Sequence, residues 1–203
     1  MNNNLREIFG NIDIYLFDQL LKGRFNDCKK IIDIGCGSGR NIVYFLKNGY
    51  EVYGIDKDPN AIESVRALAW DLAPGNSWEN FAVGNVDDIP FEPASFDLAI
   101  SSAVFHFAND TAHFDRMLRG TWSMLKPGGF LFVRLASDIG IESLVKDLGN
   151  GRYLLPDGST RFLVNEQLLL QHTSDLNGEL YEPIKTTNVS NQRCMTTWCV
   201  RKK

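Results

Sequence analysis

The chain has 203 residues, and its 21 basic residues against 25 acidic ones give a formal net charge of −4. This length suits one domain, spanning residues 1–203, because two half-sized domains would each bury too little apolar surface. The acidic balance supplies no basic surface for a phosphate backbone or an anionic membrane, so a large nucleic-acid partner is disfavoured.

Short apolar runs alternate with segments of helical periodicity, which is typical of an α/β fold. Residues 5–21 have apolar side chains near helical spacing and predict a packing helix that Gly10 can divide into two pieces. The first strand lacks polar alternation, so we expect burial on both of its faces, as in central parallel strands. The strands predicted as far as residue 136 are 30–35, 51–55, 81–84, 96–101 and 130–135.

Three helices are predicted between these strands. The first ends at Lys47, before Gly49. Asp58 is the expected N-cap of the second, with Pro59 at its first helical position. The third has one apolar face, and the Lys-Pro-Gly-Gly turn at residues 126–129 ends it and leads into the fifth strand.

The rhythm changes after the fifth strand, so residues 137–175 are predicted to be a variable segment on the substrate side. We expect a helix over residues 139–148, a loop at Pro156-Asp157-Gly158 and a helix over residues 165–172. Residues 180–201 predict a terminal antiparallel strand pair.

Targeting signals and cysteine pairs are not evident in the sequence. The amino terminus, MNNNLREIFG, lacks the basic stretch and apolar run of a signal peptide, and no segment approaches the ~18 apolar residues of a membrane span. We therefore predict a cytoplasmic protein without a membrane partner. The four cysteines form no CxxC pair, which predicts free thiols and no metal site.

Three alternating glycines follow the first predicted strand, in IIDIGCGSG at residues 31–39. In open parallel sheets a glycine turn after a strand lets a ligand approach backbone amides. Asp56 ends the second strand, where a carboxylate can accept hydrogen bonds from both hydroxyls of a ribose. These features predict a nucleoside-containing ligand. The GxGxG spacing of Gly35, Gly37 and Gly39 differs from the GxGxxG of dinucleotide sites, and no GxxxxGK[ST] phosphate loop occurs.

With its downstream segments, the chain resembles the class I S-adenosylmethionine-dependent methyltransferases over about residues 30–136. The segments that carry the resemblance are IIDIGCGSG (31–39), VYGIDKD (52–58), GNVDDIPF (84–91), SFDLAISS (95–102) and LKPGGFLFV (125–133). The family implies a three-layer α/β/α Rossmann-like sandwich. Its seven-stranded, mostly parallel sheet has the order 3-2-1-4-5-7-6, with strand 7 antiparallel. It also implies S-adenosyl-L-methionine as the cofactor and S-adenosyl-L-homocysteine as its product.

The resemblance assigns roles to the residues around the glycine turn. Gly35 and Gly37 would pass close to the methionine portion of the cofactor, and Asp33 would help to orient its ammonium group. Asp56 would hold the ribose diol, and Lys57 would lay its stem along the adenine.

Further roles concern the adenine and the amino-acid end of the cofactor. Asn85 stands where many relatives carry an acid, and its uncharged amide oxygen can accept a bond from the adenine amino group. Asp87 or Asp88 could take that role instead, and this alternative stays open. Val86 would also meet the adenine edge, and the backbone near Ser101 would contact the amino-acid end. The predicted cofactor residues are Asp33, Gly35, Cys36, Gly37, Gly39, Asp56, Lys57, Asn85, Val86 and Ser101.

Because the sulfonium already activates the methyl group, positioning matters more than acid or base chemistry. A dry pocket favours transfer, which predicts a lid. The candidates are the helical segment of residues 1–25, whose Tyr15 is a predicted substrate residue, and the insert at residues 152–162. Packing in the core is the alternative role for Tyr15.

His106 is the predicted catalytic residue, because related enzymes often carry a histidine close to the transferred methyl. It could take a proton from a hydroxyl or amine nucleophile near neutral pH, or only hydrogen-bond the pocket wall. Arg134, near the carboxyl end of the fifth strand, could meet an anionic substrate group or form a structural ion pair. His113 and His172 lie in predicted helices and are expected at the surface.

The preferred function is methyl transfer to a small-molecule acceptor by in-line displacement in a desolvated pocket. We expect a monomer or homodimer without a nucleic-acid partner. The alternatives are an RNA or protein methyltransferase, and a non-catalytic nucleotide-binding or NAD-dependent Rossmann protein.

Overall fold

Strands and helices alternate along the computed structural model, which describes residues 5–203; residues 1–4 of the predicted lid segment lie outside the described residues. The strands are β1 (Lys30–Ile34), β2 (Glu51–Asp56), β3 (Phe81–Val83), β4 (Phe96–Ser102), β5 (Leu125–Ser137), β6 (Lys146–Asp147), β7 (Arg152–Leu154), β8 (Thr160–Phe162), β9 (Gly178–Leu180), β10 (Lys185–Val189) and β11 (Arg193–Lys202). The α-helices are α1 (Leu5–Phe9), α2 (Ile14–Leu21), α3 (Val43–Lys47), α4 (Pro59–Leu72), α5 (Thr111–Ser123) and α6 (Glu166–Asp175).

The main sheet has the order β3-β2-β1-β4-β5-β11-β10. The pairs from β3 to β5 are parallel, whereas β11 is antiparallel to both β5 and β10. This arrangement confirms the predicted order with an antiparallel final strand. A further strand, β9, which was not predicted, also pairs with β11.

Helices cover both faces of the sheet, and each face has its own apolar core. Ile32 and Ile34 of β1 pack into the core that contains α5 side chains such as Phe114. Ile31, which points to the other face, packs into the core that contains Phe45 of α3 and side chains of α4. The first strand is therefore buried on both faces, as expected, and the fold is the predicted three-layer sandwich.

The predicted helix boundaries have local causes in the structure. Gly10, with a φ of +65°, separates α1 from α2, as predicted. Asp58 caps α4 by accepting a hydrogen bond from the Asn60 backbone N–H at 2.9 Å, and Pro59 follows it. Asn165 caps α6 in the same way through the Leu168 N–H.

The prediction of a helix over residues 139–148 is wrong. Gly140 has a φ of +86°, and backbone hydrogen bonds at Ile141 and Leu144 form short turns instead. The segment then enters β6, which pairs with β7 in a separate three-stranded sheet completed by β8. The turn at Pro156-Asp157-Gly158 joins β7 to β8 in a hairpin. Pairing with this hairpin therefore prevails over the local helical periodicity.

Within residues 5–203, no helix combines the length and the apolar character that crossing a lipid bilayer requires.

Candidate active site

A cavity of about 360 Å³, here called the first cavity, opens at the carboxyl ends of the central parallel strands. These ends meet at one edge of the sheet, where open α/β sheets bind ligands. Five predicted cofactor residues line it: Gly35, Asp56, Lys57, Asn85 and Val86. The other lining residues are Gly84, Asp87, Ser102, Ala103, Val104, Phe107, Asn109, His113 and Met117.

Backbone N–H groups fix the carboxylate of Asp56 at the edge of the first cavity. Its Oδ2 accepts a hydrogen bond from the Gly37 N–H at 2.9 Å, and its Oδ1 accepts one from the Asp58 N–H at 3.0 Å. The glycine turn after β1 and the end of β2 are thereby joined. Each carboxylate oxygen has two lone pairs, so the group retains capacity to accept bonds from a diol.

The glycines of the turn serve two different purposes. A Cβ on Gly37 would meet nothing within 4 Å, so the space beside this residue is open. A Cβ on Gly39 would lie 2.8 Å from Leu68 Cδ2 and 2.9 Å from Val65 Cγ2. Gly39 therefore allows α4 to pack closely against the turn. Of the three glycines, Gly35 lines the first cavity, whereas Gly37 and Gly39 do not.

Asp33 is a buried acid with an unpartnered oxygen. Its side chain is 1% exposed, and no group in the described part of the chain bonds its Oδ2. Burial raises the pKa of Asp33 to about 7, although Arg40 opposes this shift. A cationic ligand group near this oxygen would stabilise the ionised form of Asp33. Asp33 thus fits the ammonium of the expected cofactor.

Cys36 and Ser101 do not line the first cavity. Cys36 is buried against β2, where its Sγ would lie 2.9 Å from a Cβ on Gly54. Burial raises the pKa of the Cys36 thiol, so the side chain is an uncharged filler. The Ser101 side chain is fully buried, and the neighbouring Ser102 lines the first cavity. The contact expected from the backbone near Ser101 stays a prediction.

Asp13 joins the amino-terminal helices to the site, a role that the sequence analysis missed. Its Oδ1 caps α2 through the Tyr15 N–H at 3.0 Å. Its Oδ2 accepts hydrogen bonds from Ser102 Oγ at 3.2 Å and from the Arg134 guanidinium at 3.0 Å. An acid directly before an apolar helix, as in Ile12-Asp13-Ile14, was the available signal for the cap.

A second cavity, of about 290 Å³, lies beside the first, and Ala103 lines both. Ala103 has a φ of +64°, which is unusual for a residue with a side chain. In the segment that follows, Val104 and Phe107 line the first cavity, whereas His106 lines the second. The other residues of the second cavity are Arg134, Ala136, Leu155, Asp157, Ser159, Arg161, Val189, Arg193 and Met195.

His106 is held by the backbone of β5. Its Nδ1 accepts a hydrogen bond from the Ala136 N–H at 3.2 Å. Burial, assisted by the charge of Arg161, lowers the pKa of His106 to about 4, so the ring is neutral at neutral pH. A neutral ring that accepts at Nδ1 carries its proton on Nε2 and donates there. In this tautomer His106 is a hydrogen-bond donor, and its catalytic role stays a prediction.

The two predicted substrate residues lie against each other. The Arg134 guanidinium lies 5.0 Å from the centre of the Tyr15 ring, and the Tyr15 hydroxyl hydrogen-bonds Thr187. Arg134 lines the second cavity, whereas Tyr15 lines neither cavity. The ion pair offered as the alternative for Arg134 is present, since Arg134 pairs with Asp13.

The other two histidines differ in environment. His113 is half-buried, lines the first cavity and accepts a hydrogen bond at Nδ1 from the Asn109 N–H at 3.1 Å. His172 was expected at the surface, but that prediction is wrong. Its ring is buried against Phe114, at a centroid distance of 5.4 Å, because it packs on α5. Burial lowers the pKa of His172.

Among residues 5–203, no three His, Cys, Asp or Glu side chains are grouped so that they could hold a metal ion. All four cysteines are free and buried.

Comparison with known proteins identifies the family. A family model described as a methyltransferase domain matches residues 32–133, half of the chain. A ubiquinone biosynthesis O-methyltransferase of Xanthomonas campestris is 26% identical over 169 residues, which cover 76% of this chain and 67% of that protein. A tRNA U34 carboxymethyltransferase of Idiomarina loihiensis is 30% identical over 182 residues, which cover 84% of this chain and 52% of that protein. The chain thus spans about half to two thirds of these relatives' own length, and 44% of an uncharacterized methyltransferase of Synechocystis.

Solved structures share the fold. A methyltransferase of Methanosarcina mazei superposes with a TM-score of 0.71 at 22% identity, covering 90% of this chain and 96% of that chain. A 1,6-didemethyltoxoflavin-N1-methyltransferase of Burkholderia thailandensis, solved with 1,6-didemethyltoxoflavin and S-adenosylhomocysteine, has a TM-score of 0.69 at 16% identity. It covers 98% of this chain and 81% of that chain. Together with the family match, these findings show that the chain belongs to the methyltransferase domain family and has the fold of class I S-adenosylmethionine-dependent methyltransferases.

Proposed function

We propose that this protein transfers a methyl group from S-adenosyl-L-methionine to a small-molecule acceptor. The observation that carries the proposal is the pair of carboxylates at the glycine turn. Asp56 is fixed by the Gly37 N–H at 2.9 Å with capacity to accept further bonds. Asp33 lies buried nearby with one oxygen unpartnered, and the charge of Asp56 contributes to raising its pKa. One acid suits a ribose diol and the other an ammonium group.

The remaining wall of the first cavity suits the other parts of this cofactor. Asn85 and Val86 would meet the adenine edge, and the stem of Lys57 would cover its face. When bound, S-adenosylmethionine would supply an electrophilic methyl group. The open space beside Gly37 leaves room for the ligand to approach the backbone.

The contribution of the protein to the reaction is positioning and the exclusion of water. Val104, Phe107 and Met117 give the first cavity an apolar wall next to its polar end. Orienting two reactants in this way can lower a barrier by ~7–11 kcal/mol. His106, across the Ala103 boundary, would donate a hydrogen bond from Nε2 to the acceptor.

The second cavity supports an acceptor of small size. Its volume of about 290 Å³ lies at the lower end of the range for small-molecule sites. Leu155, Asp157, Ser159 and Arg161, from the β7–β8 hairpin and the turn within it, form one of its walls. This hairpin is the insert of residues 152–162, and its proposed role is that of a lid. We also propose a cytoplasmic location and a monomeric or homodimeric state.

Methylation of RNA is the second candidate. A relative named as a tRNA U34 carboxymethyltransferase supports it. The formal charge of −4 argues against it, because RNA-binding proteins usually present a basic surface.

The cofactor assignment is tested with a thermal-shift panel of S-adenosylmethionine, S-adenosylhomocysteine and NAD. A ligand present at 100 times its Kd stabilises by ~2.7 kcal/mol. We expect the first two compounds to raise the Tm and NAD to leave it unchanged. Stabilisation by NAD alone would instead support an oxidoreductase.

The acceptor is sought by incubating the protein with methyl-labelled S-adenosylmethionine and a cell extract. The labelled product is then identified by mass spectrometry. We expect the label in a small molecule, whereas label in RNA or protein would contradict the proposal.

The role of His106 is tested on the acceptor so identified. We expect His106→Ala to bind S-adenosylhomocysteine as the wild type does, because the residue lies outside the first cavity. We expect its kcat to fall by up to about tenfold, which corresponds to the loss of one hydrogen bond of ~1.5 kcal/mol. A variant that turned over normally would remove His106 from the mechanism.

A further inference from the structure

The second cavity concentrates positive charge in an acidic protein. Three of its lining residues are arginines, Arg134, Arg161 and Arg193, and Asp157 is its one acidic lining residue. The chain as a whole has 21 basic and 25 acidic residues. A cleft lined mainly by one sign of charge focuses the field and attracts ligands of the opposite sign.

The arginines retain unused hydrogen-bonding capacity. Arg161 donates to the Thr160 carbonyl at 2.8 Å and lies 5.0 Å from the Phe107 ring centre, contacts that use only part of its five N–H donors. Arg193 lies 3.9 Å from Asp157 and is 56% exposed. Arg134 pairs with Asp13 through one nitrogen, and its Nε has no hydrogen-bond partner among residues 5–203.

The polar groups near these arginines are donors more than acceptors. The neutral ring of His106 donates from Nε2, because the Ala136 N–H occupies its Nδ1. The Oδ1 of Asp157 is already bonded by the N–H and the hydroxyl of Ser159, at 2.9 and 2.6 Å, and its Oδ2 lies 3.9 Å from Arg193. A bound group would therefore meet surplus donors, which suits carboxylate or phosphate oxygens.

We propose that the second cavity binds an anionic group, a carboxylate or a phosphate, carried by the methyl acceptor. Arg161 and Arg193 would hold it at the hairpin side, with Arg134 at the β5 side. This inference rests on the proposed function in naming the bound molecule as the acceptor. Because Ala103 borders both cavities, an anion held here would leave the rest of the molecule directed to the cofactor cavity.

The test uses defined probes on the full chain. Benzoate and phenyl phosphate represent the two anions, and benzamide is a neutral compound of similar shape. Binding is measured by titration in ¹H–¹⁵N correlation spectra, with and without S-adenosylhomocysteine. We expect saturable shifts at Ser159, Arg161 and Met195, and a Kd for at least one anion about tenfold below that of benzamide.

Arginine variants then locate the binding site. We expect Arg161→Gln to weaken anion binding about tenfold. Arg193 is more exposed, and Arg193→Gln should also weaken anion binding. This variant replaces Arg161→Gln in the test if Arg161→Gln misfolds. Arg201→Gln is the matched control, because Arg201 of β11 lies over Phe130 and does not line the second cavity. It should bind the anions as the wild type does.

Each outcome decides the question. A preference for benzoate assigns a carboxylate, and a preference for phenyl phosphate assigns a phosphate. The inference would be overturned if benzamide bound as tightly as the anions, or if the spectral shifts fell on residues outside the second cavity. It would also be overturned if Arg161→Gln and Arg193→Gln both bound the anions as tightly as the wild type does. If S-adenosylhomocysteine binds while no anion does, the anion site fails and the proposed function stands. If the anion binds while S-adenosylhomocysteine does not, the cofactor assignment fails instead.

Discussion

At the scale of single residues, the proposed cofactor site depends on two carboxylates with opposite environments, of which Asp56 lines the first cavity and Asp33 does not. Asp56 is oriented by two backbone N–H groups at the cavity wall. Asp33 is buried with one oxygen unpartnered. Asp56 can accept hydrogen bonds from a neutral ligand group, whereas a cationic ligand group would stabilise the ionised form of Asp33.

The Asp56→Ala substitution should weaken S-adenosylhomocysteine binding by at least about 10²-fold. It removes two hydrogen bonds to a charged acceptor, each contributing ~1.5–3 kcal/mol. Calorimetric titration measures the Kd. Asp71→Ala, at an exposed position in the last turn of α4, is the matched control and should bind normally. Equal affinities of the two variants would contradict the assignment of Asp56 to the ribose.

The Asp33→Asn substitution should stabilise the ligand-free protein at alkaline pH. The folded-state pKa of about 7 lies above the ordinary value of 3.8 for an aspartate, so the wild type progressively loses stability as the pH rises from about 4 to 7. The stability of Asp33→Asn should not fall in this way, because asparagine does not ionise. One pKa unit corresponds to ~1.4 kcal/mol, and 1 kcal/mol moves the Tm of a domain of this size by roughly 2–4 °C.

Melting curves at pH 5 and pH 8 measure this effect. The Tm advantage of Asp33→Asn should reach several degrees at pH 8 and be smaller at pH 5. The same variant should bind S-adenosylhomocysteine at least about tenfold more weakly, because a charge-assisted hydrogen bond is lost. An advantage independent of pH would show that the pKa of Asp33 is the same in the folded and the unfolded protein.

At the scale of elements, Gly37 and Gly39 have different roles. Gly37 leaves open space beside the turn, whereas Gly39 allows α4 to pack closely against it. Gly39→Ala places a Cβ against Val65 and Leu68 of α4 at a φ of +87°, so we expect a loss of roughly 1–3 kcal/mol in stability. Gly37→Ala meets open space at a φ of +52°, so its loss should be nearer 1 kcal/mol.

The two variants are compared by urea unfolding and by the Kd for S-adenosylhomocysteine. Gly37→Ala should have the larger effect on the Kd, because its new methyl group occupies the space open to a ligand. Gly39→Ala should have the larger effect on stability. The opposite order in both measurements would contradict this division.

Elements defined by local signals were predictable from the sequence. The glycine turn, the Asp58 cap and Asp56 depend on residues close together in the chain. The strand order, which the family resemblance implied, was also correct. The segment of residues 139–148 has helical periodicity, yet pairing of β6 with β7 prevails there. The second cavity joins residues of β5, the β7–β8 hairpin and β11, and only the tertiary structure brings Arg161 and Arg193 to it.

At the scale of the whole molecule, the acidic balance predicts weak binding of RNA. We expect an affinity for unmodified tRNA no stronger than ~10⁻⁴ M, with little change between 50 and 200 mM salt. Fluorescence anisotropy with labelled tRNA measures both quantities. A protein that makes several phosphate contacts loses affinity steeply over this range. A steep salt dependence would therefore favour the RNA methyltransferase alternative.

The position of β11 has a consequence for biosynthesis. Strands β1 to β5 can associate as they leave the ribosome, but the outer side of β5 is covered only when residues 193–202 arrive. Until then, nascent chains carry an unpaired apolar strand edge, the kind of surface that promotes aggregation. Trp198 is fully buried on this strand, so its fluorescence would report the moment at which the sheet is completed.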